Sequence, residues 1–273
     1  MVNEIENALT KGDCTTALIH STRLYESEYS DNKIRMLYVS AQGCRAGINM
    51  YGVYQELTSL SSANPVGEFV RIFPSTTADS RLQSTWAGLD ALQTVLIPGS
   101  VVASADRTLP NAYNPGSVLL QDLTEEAKIY GFYVSMALIG TAGNRFGNPD
   151  STYNQQSDFT WTTKALVQAD TTETACSLAA GLLNFLESAA VIQSKLPAGA
   201  ASAVGAALSL LNGVTTAGDL KCQAPVAAGG GGGSAANCAN AKQRVHYRGA
   251  CAESDLNAAF AAGLVEGLNA LWL

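Results

Sequence analysis

The stretch "GDCTTALIHSTRLYESEYSDNKIRMLYVSAQGC", Gly12–Cys44, carries a cysteine near each end. Asp13 is an N-cap by type, because its short carboxylate can accept an N–H that the first helical turn leaves unpaired. Ala17, Leu18, Leu24 and Tyr25 then recur at helical spacing. "YSDN" interrupts the run, and Ser30 or Asp31 can cap a second helix with Ile34, Leu37, Tyr38 and Ala41 on one stripe. Two such helices predict an antiparallel hairpin that turns near residue 29. Across a hairpin, positions face each other when their numbers have a constant sum. Cys14 and Cys44 are centred on residue 29, so their thiols meet at the open end, within reach of a disulfide. A nucleophilic role is weaker, because His20 lies six positions past Cys14 on a different face.

A bridged pair implies an oxidising compartment. Four more cysteines follow: Cys176, Cys222, Cys238 and Cys251. There is no C-x-x-C, and His20 and His246 have no partner at zinc spacing, so we expect neither a metal nor a cofactor. Cys222 and Cys238 flank "QAPVAAGGGGGSAAN", and a bridge between them would close that loop. These four allow three pairings, and the favoured one joins Cys176 to Cys251, each of which opens a helix, alongside that bridge. The opening "MVNEIENALTKGD" is charged and lacks an apolar h-region, so export would use a signal peptide that this sequence does not include.

Sixteen basic against 23 acidic residues give a net charge of −7 in 273 residues. That balance offers no electrostatic footprint for nucleic acid. Charged residues make up only 14% of the chain, against roughly 25% in an ordinary soluble domain. The deficit is deepest from Thr172 to Leu220, where Glu173, Glu187, Lys195 and Asp219 are the only charges. Helices so poor in charge bury more than one face, against a core, a second subunit or lipid. No run reaches the ~18–20 apolar residues expected of a membrane-spanning helix.

Helical patterns run through most of the chain. A short helix at 3–9 precedes the hairpin, and helices follow at 48–60, 77–96, about 118–142, 172–195, 198–214 and 254–272. Polar loops separate them around "RTLPNAYNPGS" and "NRFGNPDSTYNQQSDFTW". Only "VGEFVRIF", Val66–Phe73, alternates like a strand. The fold class is therefore all-α, with helical hairpins in front (1–97) and Ala/Gly/Leu-rich apolar helices behind (98–273), the Gly-rich loop being 223–237. The two parts could form one continuous domain.

The pattern Gly12, Asp13, Ala17, Leu24, Tyr25, Ser30, Asp31 and Asn32 resembles a tetratricopeptide unit read from its second helix into the next repeat. The stapled hairpin is similar to helical-repeat lipoproteins of the bacterial envelope, such as the T-component family associated with TRAP transporters. It also resembles lipid-enclosing helical outer-membrane proteins of predatory bacteria. The resemblance covers about the first 60 residues. It implies an exported protein of the periplasm or outer membrane.

No arrangement of catalytic type is present: no G-x-S-x-G, H-E-x-x-H, P-loop or strand-linked G-x-G-x-x-G. Gly229–Gly233 reads as a flexible loop, because "SAANCANAK" is a poor helix start for a phosphate cradle. Glu125 and Glu126 suit a helix N-terminus without catalysis. His246, with Arg244, Tyr247 and Arg248, reads as a solvated basic face, and Trp86 and Trp161 as core. Small residues Gly181, Gly199, Gly205 and Gly263 should let helix backbones approach.

The expectation is a non-enzymatic envelope protein that self-associates and touches lipid or the outer membrane. Its contacts would lie on Leu182, Leu183, Phe185, Leu186, Leu208, Leu211, Phe260 and Leu264. The alternative is a soluble periplasmic binding module for a small apolar ligand or a partner protein.

Overall fold

A computed structural model describes residues 1–28, 31–57, 64–73, 78–93, 125–147, 149–154, 171–196, 198–246 and 254–272. The front comprises α1 (Val2–Thr10), α2 (Cys14–Glu28), α3 (Asn32–Arg45), α4 (Met50–Leu57), α5 (Pro65–Ile72) and α6 (Ala78–Gln93). Then come α7 (Glu125–Phe146), α8 (Thr171–Gln193), α9 (Ala198–Gln223), a 3-10 turn (Val226–Ala228), α10 (Ala235–Val245) and α11 (Asp255–Trp272). The class is all-α, with no strand among the described residues.

The hairpin forms as its residues dictate. Asp13 Oδ1 accepts the Thr16 N–H at 3.1 Å. Of the two candidate caps for α3, Asp31 is used, accepting the N–H groups of Lys33 and Ile34. Tyr25 and Tyr38 stack across the pair with ring centroids 4.5 Å apart. Cys14 and Cys44 are bonded at the open end, with Cα atoms 5.3 Å apart. The hairpin alone does not make a tetratricopeptide repeat.

α7 is the central strut. It packs against α5 and α6 on one side and α8 on the other, while α8 also meets α9 and α11. One hydrophobic core runs from Val39 on α3 to Trp272 on α11, across the expected boundary at residue 97. At its centre the Phe185 ring lies 5.1 Å from those of Phe69 and Phe132. Trp272 Nε1 donates to the Tyr153 carbonyl at 2.9 Å, fastening the last helix to the 149–154 segment.

The weak strand at Val66–Phe73 is instead helix α5. Asn64 caps it by accepting the Gly67 N–H, and Pro65 stands at its first turn, where a missing N–H costs nothing. Val66, Phe69, Val70 and Phe73 are all buried. They recur at i, i+3, i+4 and i+7, a helical period that outweighs the apparent alternation.

α9 continues nine residues beyond the expected end at Val214. At 26 residues and a mean hydropathy of 1.3 in its best window, it is long and apolar enough to cross a membrane, contrary to the expectation that no segment would be. Only 28% of that window is buried. Its C-terminal half is held by α11. A Cβ on Gly263 would lie 2.6 Å from the Ala217 carbonyl oxygen, and one on Gly218 would lie 3.0 Å from the Phe260 ring. Gly181 likewise admits Leu138, and Gly205 admits the Gln193 amide, whereas Gly199 faces open space and serves no close approach.

Candidate functional site

The residues expected to face a second subunit or lipid are core residues of this one chain. Leu182, Leu183, Phe185, Leu211, Phe260 and Leu264 are at most 2% exposed, and Leu208 is 9%. Leu186 packs half-buried against the same core. Over α8 the charge deficit has a local cause: it is surrounded by α7, α9 and α11, and a helix enclosed on several sides has no face that needs charge.

His246 is likewise not on a solvated face. It is 5% exposed, with Nε2 2.8 Å from Glu187 Oε1 and Nδ1 2.9 Å from the Lys242 carbonyl. Its own carbonyl accepts from Asn184 Nδ2 at 2.9 Å, so it clamps the end of α10 onto α8. Tyr247 and Arg248 lie outside the described residues, as does Trp161. Trp86 packs half-buried on the core.

The glycine tract is ordered rather than loose, and a helix does follow it: α10, capped by Ser234 Oγ on the Asn237 N–H. The tract is still no phosphate cradle, because its N–H groups are already used. Gly230 donates to Pro225, Gly231 to Lys221, Gly232 to Ala224 and Gly233 to Cys222, at 2.8–3.2 Å. It caps the carbonyl end of α9. The Cys222–Cys238 bond, Cα atoms 5.9 Å apart, closes it as expected. Gly229 and Gly232 have φ of 72° and 67°, which glycine adopts without steric cost. Cys176 is also disulfide-bonded; Cys251, its expected partner, lies outside the described residues. No group of three His, Cys, Asp or Glu able to hold a metal occurs among the described residues.

A groove of about 870 Å³ open to a ligand lies between α1, α3 and the first half of α7. The α3 wall presents Met36, Leu37, Ser40, Gly43 and Cys44, and Cys14 completes the disulfide beside it. The α7 wall presents Glu126, Tyr130, Tyr133 and Val134 at i, i+4, i+7 and i+8, one face of a helix. Leu9, Thr10 and Ile48 close the sides, with Glu6, Asn32, Lys33 and Asn49 also lining it. Two hydroxyls on this surface are occupied: Thr10 donates to the Glu6 carbonyl and Ser40 to that of Met36, both at 2.8 Å. The exposed character is thus mainly aliphatic and aromatic. Burial pushes the Tyr133 phenol above its ordinary range, and Tyr54 adds to this, so it stays a neutral donor. Lys33 Nζ lies 3.4 Å from Glu6 Oε1.

Sequence reasoning found the disulfide beside this groove but not the groove. Tyr130, Tyr133 and Val134 sit in a run that is apolar all round, and nothing in the sequence shows which side faces α3. No protein-family model matches this chain, and comparison with characterised proteins and with solved structures finds no match.

Proposed function

We propose that this is a non-enzymatic, exported binding protein that holds one small apolar molecule in the groove between α1, α3 and α7. The observation that carries the reading is the groove's size and lining. About 870 Å³ lies within the ~300–1,000 Å³ of small-molecule sites, which are mostly apolar with a few polar groups. Two bonded cysteine pairs support an oxidising compartment such as the periplasm.

The test uses N-phenyl-1-naphthylamine, a neutral apolar fluorophore that brightens when it leaves water. Wild-type protein should bind it saturably at one site. Gly43→Trp should weaken binding at least tenfold without lowering the unfolding midpoint. Gly43 lines the groove, and a Cβ there meets nothing nearer than Ile48 Cδ1 at 3.9 Å. The added ring therefore enters the space a ligand needs. Unchanged affinity in Gly43→Trp, or no saturable binding by the wild type, would overturn the reading.

A second reading, self-association with lipid contact, is favoured by the outer face of α9. Ser202, Ser209, Gly213, Thr216 and Leu220 are exposed there, and none is charged. Sedimentation at micromolar concentration with and without vesicles tests it: a monomer that ignores vesicles rules it out.

A further inference from the structure

The groove is not electrically even, and its charges point to the head group of the ligand. Among the described residues, three charged side chains line it: Glu6, Lys33 and Glu126. Lys33 and Glu6 form an ion pair at 3.4 Å, so these two largely answer each other. The neighbouring Glu125 is held by Lys195 at 2.7 Å. Glu126 is exposed and has no salt bridge among the described residues, so the uncompensated charge facing the groove is a carboxylate. One turn further along the same wall comes Tyr130, and a second turn brings Tyr133 and Val134. The wall grades from anion through aromatic rings to aliphatic surface. Ring faces attract cations as well as apolar chains.

We propose that the ligand is a cationic amphiphile, an apolar body bearing an ammonium group, seated with its nitrogen at Glu126 and its body against Met36, Leu37, Ile48 and Val134. This rests on the binding reading above and narrows it. A neutral chain of the same length fills the apolar part and leaves the exposed Glu126 hydrated, so it gains nothing there. An anionic chain adds repulsion. An ammonium group satisfies the carboxylate, and because the position is solvent-facing its advantage is moderate, about fivefold in affinity.

The experiment displaces N-phenyl-1-naphthylamine from the wild-type protein at pH 7 and low salt with decylamine, decanol and decanoate, each below its aggregation threshold. Decylamine should compete at about fivefold lower concentration than decanol, and decanoate should be weakest. Raising the salt to about 0.5 M should shrink the gap, since exposed charge pairs are screened. Glu126→Gln should bring decylamine to the level of decanol while leaving decanol unchanged. Equal displacement by decylamine and decanol, or a gap that survives Glu126→Gln, overturns the cationic assignment and leaves the groove reading standing. Failure of all three to displace the fluorophore, or failure of the fluorophore to bind, overturns both.

Discussion

Gly263→Ala and Gly43→Ala are the same chemical change in two helix interiors, and the structure predicts opposite signs. At Gly263 the new methyl would sit 2.6 Å from the Ala217 carbonyl oxygen, 2.6 Å from Lys221 Cβ and 2.8 Å from Gly218 Cα. Two of these three atoms are backbone and cannot rotate aside, so α11 must move off α9. Forcing a methyl into a filled contact costs about 1–3 kcal/mol, and separating Phe260 and Leu264 from α9 adds to that. Helix propensity returns about 1 kcal/mol, leaving a net loss of about 1–3 kcal/mol. At Gly43 the methyl meets only Ile48 Cδ1, at 3.9 Å, so propensity acts alone and the gain is about 0.5–1 kcal/mol. With an unfolding entropy near 2.1 cal/mol/K per residue over 273 residues, each kcal/mol moves Tm by about 2 °C. Thermal unfolding followed by circular dichroism at 222 nm should show Gly263→Ala falling by about 2–6 °C and Gly43→Ala rising by about 1–2 °C. A Gly263→Ala protein as stable as wild type would refute the close approach of α9 and α11.

The disulfides should differ in access: Cys14 and Cys44 are half-buried beside the groove, whereas Cys222 and Cys238 are 0% exposed. A mild dithiol followed by alkylation and mass spectrometry should label Cys14 and Cys44 first. Removing both of these cysteines should cost about 3–4 kcal/mol, from the 30-residue separation they span, read as a lower urea midpoint. The Asp13 carboxyl is held below its ordinary range by hydrogen bonds from Thr16, the side-chain bond being the larger cause. Its contribution is complete above the unfolded value near 4 and is lost as pH falls through the lowered folded value. Asp13→Asn should flatten the acid limb of a stability–pH curve. Asp31→Ala should lower stability by about 1 kcal/mol, since two N–H groups at the start of α3 lose their acceptor.

What the sequence made legible was local. The α2–α3 hairpin could be read because caps, stripe and cysteine positions lie within 33 consecutive residues, Gly12 to Cys44. α10 was missed because Asn and Cys are mediocre helix formers. Its stability comes from the Ser234 cap, the Cys222–Cys238 bond and the His246 clamp to Glu187, two of which join it to distant elements. The misassignment of Leu182, Phe185 and Phe260 has a general cause. A helix apolar all round looks the same whether protein or lipid encloses it, and only the arrangement of α7, α9 and α11 around α8 decides. The groove stayed hidden for the same reason, since Met36 and Tyr130 are brought together by tertiary packing alone.

The central claim is that an apolar molecule enters the groove rather than coating the outer face of α9. Photo-crosslinking with a decyl chain carrying a terminal diazirine, followed by peptide mapping, separates the two. The account predicts adducts on peptides containing Met36, Ile48 and Tyr130, suppressed by excess decylamine and lost in Gly43→Trp. Adducts concentrated on the α9 peptide around Ser209–Leu220, unaffected by Gly43→Trp, would contradict it.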